Sequence, residues 1–321
     1  MTKAVMMIEA IRKFEDSKKK EFMEFLKDFR IPKRTTVKGI AKNPGWASTY
    51  AYHIIKVRWP EAEKTISKDA EAAYYYARHV IKGRWPEVET TIAKSSFVAR
   101  EYAENVIKGR WPEAEKVIMR SSSNAFNYAC YVIKGRWPEA EKTIARSAYS
   151  ACKYARYIIE GRWPEAEATI AKNLDEGFIY ASEVIKGRWP EFEAVSSKDA
   201  STAYKYARYI IKGRWPEAEE TISKDAENAY YYAYNVIKGR WPEAETTIAT
   251  DPKSAYCYAY NVIKGRWREG EPVILQDVAW AYTYILDVIK GRWPEAETII
   301  SKDKKLAASY TKFLLSLCKK R

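Results

Sequence analysis

Apolar residues along this chain return in a block of 26. With each block numbered from its tryptophan as position 1, small or apolar residues, mostly Ala, stand at position 4 and mostly Ile at 8. Mostly Ala, Tyr, Ala, Val/Ile and Ile then stand at 15, 18, 19, 22 and 23. Trp59, Trp85, Trp111, Trp137, Trp163, Trp189, Trp215, Trp241, Trp267 and Trp293 mark ten such blocks without an insertion or deletion. Positions 4 and 8 lie one helical turn apart and predict a short helix with a narrow apolar stripe. Positions 15 to 23 carry the spacing of one buried face at 3.6 residues per turn and predict a second helix. A period of this length marks stacked copies of one supersecondary unit.

Polar punctuation agrees with that division. Proline follows the tryptophan in nine of the ten blocks, Arg268 being the exception, and suits the first turn of a helix. Glutamates at positions 3 and 5 complement the positive helix N-terminus. Position 11 is Asp, Ser or Asn throughout, as in Asp69, Ser95 and Asn173, and predicts the cap of the second helix. Glycine at position 25 in nine blocks predicts a left-handed C-cap. Each block is therefore a hairpin of helices of about 8 and 13 residues, too short to stand alone, so stacking must stabilise it. Burying one tryptophan removes about 150 to 250 Å² from water.

The expected architecture is all-α: a right- or left-handed α-solenoid of about eleven hairpins between capping helices. Residues 33–58 keep the register through Ile40, Asn43, Ala47, Tyr50, Ala51, Ile54 and Ile55 but lack the tryptophan, and read as a degenerate repeat. Residues 1–32 do not fit the period; Val5, Ile8, Ile11 and Phe14, then Phe22, Phe25, Leu26 and Phe29, predict two capping helices joined near Asp16. Residues 59–298 hold nine full repeats and the start of the tenth, and 299–321 its remainder with a basic C-terminal cap.

A net charge of +14 invites a nucleic-acid reading, so its location matters. Residues 1–58 hold 14 Lys/Arg against 6 Asp/Glu and residues 299–321 hold 7 against 1, which leaves 35 of each sign for 59–298. The charge is in the ends, including Lys18 to Lys20 and Lys319 to Arg321, and the array is neutral. Cys130, Cys152, Cys257 and Cys318 show neither CxxC spacing nor a regular place in the repeat, so no disulfide framework or metal site is expected. No apolar run approaches a membrane span and the N-terminus is not a secretory leader, which points to a soluble, cytoplasmic protein.

Catalysis finds no support. His53 and His79, the only histidines, have no recurring Cys, Ser or carboxylate partner. Paired glutamates such as Glu61 with Glu63 could do acid and base work, but ten copies of the pair are better explained by the helix dipole and by pairing with the Arg at position 26. That Arg and the Lys at 24, interrupted by Glu160, form a basic ladder that would suit phosphates or simply pair with the glutamates. The glycines are helix caps, not a phosphate loop, and no cofactor is expected.

Positions 13, 17, 20 and 21 of the second helix lie away from its buried face and change from repeat to repeat. They supply Tyr75, Arg78, His79, Tyr131, Lys153, Arg156, Tyr157, Lys205, Arg208, Tyr209, Tyr231, Tyr234, Asn235, Tyr260 and Asn261. A merely solvated face would be richer in Lys and Glu, whereas Tyr and Arg favour binding interfaces. Position 16 is also aromatic-rich but expected to be partly buried. Trp46 and Trp280, both at position 14, are candidate anchors. Tyr at position 18 recurs in eleven repeats from Tyr50 to Tyr310 and belongs to packing.

The phrase Tyr-Ala-x-x-Val-Ile-Lys-Gly-Arg-Trp-Pro-Glu-Ala-Glu, as in 232–245, resembles a short tandem repeat of uncharacterised proteins of tailed bacteriophages and other large DNA viruses. The resemblance spans about 33–318 and implies an α-solenoid of viral origin, with no activity or site attached to it. The architecture is similar to tetratricopeptide, HEAT and pentatricopeptide arrays, but 26 residues is shorter than any of these and their signatures are absent. The expected function is a non-enzymatic solenoid that binds another protein through the variable Tyr-rich surface, a viral factor that blocks or sequesters a host protein in the host cytoplasm. The alternative is a nucleic-acid binder that sets the Arg/Lys ladder on phosphates and stacks tyrosines on bases, or touches nucleic acid only through its basic ends.

Overall fold

The computed structural model describes residues 17–318. These form two compact bodies that divide after Glu160, each all-α, with no strand among the described residues. Within each body one hairpin follows another, and each second helix packs on its own first helix and on the second helix of the neighbouring repeat.

One repeat shows how the sequence builds the unit. Trp59 is the N-cap and Pro60 the first helical residue of Pro60–Ile66, with Glu61 and Glu63 in the first turn. Asp69 is the next N-cap, its side chain accepting a hydrogen bond from the Ala72 N–H. The second helix starts as an α-helix, Ala70–Tyr76, and finishes as a five-residue π-turn, Ala77–Ile81. That α-to-π change recurs through Ile285–Ile289, and its rotation leaves positions 22 and 23 half-buried where straight α periodicity placed them on the core face.

The left-handed residue is not the glycine. Lys82, Lys108, Lys134, Glu160 and their equivalents at position 24 carry φ between 52° and 61°, whereas no glycine has positive φ. The extra residue of the π-turn moves the αL position one step upstream, so Ala77 C=O accepts from the Gly83 N–H at 3.2 Å. A Cβ added at Gly83, Gly109 or Gly135 would meet nothing within 4 Å, and the degenerate repeat carries Val57 there. The structure gives no reason for glycine at position 25.

The core is a periodic spine. Positions 4, 8, 15, 18 and 19 are fully buried in repeat after repeat, as in Ala114, Ile118, Ala125, Tyr128 and Ala129. Within each body the position-18 tyrosine lies against the next tryptophan, ring centroids 5.2 Å apart for Tyr76 and Trp85 and 5.0 Å for Tyr180 and Trp189. The indole N–H of Trp137, Trp189, Trp267 and Trp293 makes no hydrogen bond, so tryptophan serves there by area. One repeat departs at three linked places. Phe192 replaces Ala at position 4, Ser196 replaces Ile at 8, and Gly177 replaces Ala at 15 of the preceding repeat; a Cβ on Gly177 would lie 2.2 Å from the Phe192 ring. In the repeat lacking the proline the first helix shortens to Glu271–Ile274, and Gly270 leaves room for the Trp267 ring.

At the N-terminal end a helix over 17–28 lays Phe25 and Leu26 on Ile40 and Tyr50, with Phe22 and Trp46 against the same cluster. Trp46 is thus part of the cap, and Phe29 is exposed. The first expected capping helix, with Val5, Ile8, Ile11 and Phe14, lies outside the described residues, as do Lys319 to Arg321. The last second helix, Lys304–Cys318, continues as an α-helix without a π-turn.

Candidate partner-binding surface

Two polar surfaces emerge from the repeat, and they differ in what is already satisfied. On the first, the Arg before each tryptophan grips the position-5 glutamate with two parallel bonds: Arg84 Nε and Nη2 lie 2.9 and 2.7 Å from the Glu89 carboxylate. The same carboxylate accepts from the Tyr102 hydroxyl at 3.1 Å, and that hydroxyl accepts from the Trp85 N–H at 2.7 Å. This Arg–Glu–Tyr–backbone chain repeats from Arg58 to Tyr310. Its bonds to Arg hold Glu63, Glu89, Glu167, Glu193, Glu219 and Glu245 below the usual carboxylate range. Burial pushes Tyr76, Tyr102, Tyr154 and Tyr284 up to about 12. Within each body the exposed position-3 glutamate of the following repeat also sees the guanidinium, Glu87 raising Arg58 and Glu243 raising Arg214. The Arg part of the basic ladder is therefore neutralised by glutamate.

The second surface is the outer side of the second helix. Tyr131, Tyr157 and Tyr209 are 55%, 53% and 52% exposed, and Tyr234 and Tyr260 nearly as open. Arg156 and Arg208 lie over the rings of Tyr157 and Tyr209, each 4.9 Å from the centroid. Arg208 also donates to the Tyr204 hydroxyl at 2.6 Å. Lys153 sits on the Tyr149 ring and donates to its hydroxyl, while Lys205 is exposed.

Some of the variable residues have a job inside the array. The hydroxyl of a position-16 tyrosine reaches position 21 of the next repeat: Asn235 donates to Tyr204 at 2.9 Å, Asn261 to Tyr230 at 2.9 Å, and Tyr256 donates to Asp287 at 2.7 Å. Tyr74 donates instead to Glu101, and Arg78 donates to Tyr74 at 2.5 Å. Phe126, Tyr204 and Tyr230 at position 16 are buried. Tyr231 stacks on Tyr204, and Trp280, half-buried, stacks on Tyr256. These inter-repeat links escaped sequence reasoning. Their signal was an Asn or Asp at position 21 following a Tyr at position 16 one repeat earlier.

The histidines join an aromatic cluster at the N-terminal end. Tyr52 lies 5.1 Å from His79 and 5.8 Å from Tyr75, and His53 lies 5.0 Å from Phe29. Burial, then Arg78 and His53, lower the pKa of His79.

Position 24 belongs to this second surface and not to the Arg edge. Tyr234, Lys238, Tyr260, Asn261, Lys264, Asp287 and Lys290 line a groove of about 700 Å³ across the ends of three successive second helices. Tyr52, His53, Lys56, His79 and Lys82 line one of about 460 Å³ from the same repeat positions. Among the described residues no three His, Cys, Asp or Glu side chains are grouped to hold a metal ion. No helix there is long and apolar enough to cross a membrane. Comparison with protein-family models, with curated proteins and with solved structures found no match.

Proposed function

We propose that the chain is a non-enzymatic helical-repeat scaffold that binds another protein along the outer side of its second helices. One observation carries the reading. The recurring Arg, position-5 Glu and position-18 Tyr of the scaffold engage one another, yet Tyr131, Tyr157 and Tyr209 stay more than half exposed, two of them under a guanidinium. Exposed tyrosine beside arginine combines contact area with hydrogen bonding at little entropic cost, the composition of interface hot spots. Pairing with glutamate takes the regular row of position-26 arginines out of the charge a phosphate backbone could use, which counts against the nucleic-acid alternative. With the resemblance to viral repeat proteins, the partner is a host protein met in the host cytoplasm, which the chain blocks or sequesters.

Capture of a stoichiometric protein from lysate of the host cell tests this. Replacing Tyr131, Tyr157 and Tyr209 together by Ala should abolish capture while leaving the thermal midpoint near that of the parent, since none of the three is buried. Undiminished capture by the triple variant would sink the assignment.

A further inference from the structure

Each second helix that ends in a π-turn carries a charged residue at its left-handed end, Lys in every case but Glu160. Lys238, Lys264 and Lys290 stand at φ 59°, 60° and 52°, a left-handed conformation that costs a residue with a Cβ about 1 to 2 kcal/mol. Glycine, which would adopt it freely, stands one position later where no positive φ is needed. Strain kept at a repeated position points from the outlier toward a use for the side chain. Among the described residues the three lysines make no ion pair, in contrast to the Arg at 26. They border the 700 Å³ groove, where the one carboxylate, Asp287, is engaged by the Tyr256 hydroxyl. The groove is cationic, open and lined at the repeat pitch.

We propose that this groove takes an extended acidic peptide segment, presenting one carboxylate to each of Lys238, Lys264 and Lys290. The proposal rests on the protein-binding reading above and names the chemistry of the partner. Packed helices stand about 8 to 10 Å apart, and one turn of a polyproline-II chain, three residues, rises about 9 Å and returns to the same side, so a carboxylate at every third residue of a segment extended in that form meets successive lysines. Tyr234 and Tyr260, each stacked on the tyrosine one turn earlier, Tyr230 and Tyr256, at 13° and 14°, supply flat walls for the segment. Nucleic acid fits less well. A phosphodiester strand draws its affinity from many neutralised charges, and three lysines beside a carboxylate, with the neighbouring arginines already paired to glutamate, supply few.

The full chain is titrated into fluorescein-labelled Glu-Gly-Ser and Gln-Gly-Ser repeat peptides, with anisotropy read at low and high salt. The Glu peptide should bind at least about tenfold more tightly than the Gln peptide, and high salt should weaken it. Changing all three exposed lysines to Glu (K238E, K264E and K290E) should abolish that binding and confer binding of a Lys-Gly-Ser peptide, a gain that misfolding could not produce. Equal affinity for Glu and Gln peptides, or a triple variant that still binds the Glu peptide, overturns the proposal. So does a thymidine oligonucleotide of matching length that binds more tightly than the Glu peptide, which would assign the groove to nucleic acid. The Tyr131, Tyr157 and Tyr209 triple variant should keep its affinity for the Glu peptide. Loss of peptide binding beside intact Tyr-dependent capture therefore condemns the groove assignment alone.

Discussion

The three exceptions in the repeat that starts at Trp189 form one packing unit, and they permit a test by reversal. A methyl group placed on Gly177 would lie 2.2 and 2.3 Å from two atoms of the Phe192 ring, far inside the roughly 3.5 to 4.0 Å of normal carbon contact. Gly177→Ala alone should therefore cost about 2 to 3 kcal/mol, the upper part of the range for overpacking. Phe192→Ala alone removes a fully buried ring between two residues too small to refill the space, Gly177 and Ser196, and should cost about 3 to 5 kcal/mol. The triple change Gly177→Ala, Phe192→Ala and Ser196→Ile restores the Ala, Ala, Ile set of most other repeats and should return to within about 1 kcal/mol of the parent, because contacting residues do not add. Urea unfolding followed by far-ultraviolet circular dichroism reads all four proteins; where the array loses two-state behaviour, the midpoint of its first transition serves. A triple variant whose loss equals the sum of the single losses, or a neutral Gly177→Ala, would refute the packing argument.

Other expectations follow from the hydrogen-bond chain and the helix ends. Tyr128→Phe should cost about 1 to 3 kcal/mol, because the buried Trp111 N–H loses its acceptor, now 2.6 Å away; a melting curve unchanged from the parent would contradict it. Thermal midpoints measured across pH should be flat from about 7 to about 9, the lowered pKa of His79 taking a little stability away as pH falls below about 6.5. The position-5 carboxylates, held low by Arg, contribute stability above their unfolded pKa that is lost as pH falls through the folded one. The buried tyrosines, pushed up to about 12, contribute below about 10 and lose it as pH rises through 12. A midpoint that declines steadily between pH 6 and 9 would count against both assignments. Lys108→Gly should stabilise by about 1 kcal/mol by removing a left-handed Cβ, while Gly109→Ala, whose Cβ meets nothing, should be tolerated. The opposite order in differential scanning calorimetry would show that glycine at position 25 is the cap.

Much of the hairpin was legible because each signal is local. Proline after tryptophan, the capping Asp, Ser or Asn, and the 3.6-residue spacing each depend on a few neighbouring residues, and Trp59, Asp69 and Tyr76 fall where they should. The π-turn was not legible. Periodicity assumes constant winding, and nothing in Ala77–Ile81 announces a wider turn, so the left-handed residue was misplaced by one, on the glycine whose φ freedom looked decisive. At the site, the pairing of Arg with Glu was foreseen from charge balance, and the burial of position 16 from its place beside the apolar face. What was missed depends on residues one repeat away, such as Asn235 with Tyr204. The separation of Lys from Arg onto different surfaces likewise follows from the direction the chain takes after its left-handed turn, which spacing alone does not encode.

The central claim is that a partner protein lies on the outer side of the second helices and not on the Arg–Glu edge. A photo-crosslinking residue placed singly at Tyr157, Tyr209, Glu165 or Glu217, followed by capture and mass spectrometry, tests it most directly. All four positions are exposed, so each probe is equally free to react. Crosslinks to one protein from Tyr157 and Tyr209, with none from Glu165 and Glu217, are the expected result. Crosslinks from the two glutamate positions with none from the tyrosines would contradict the account.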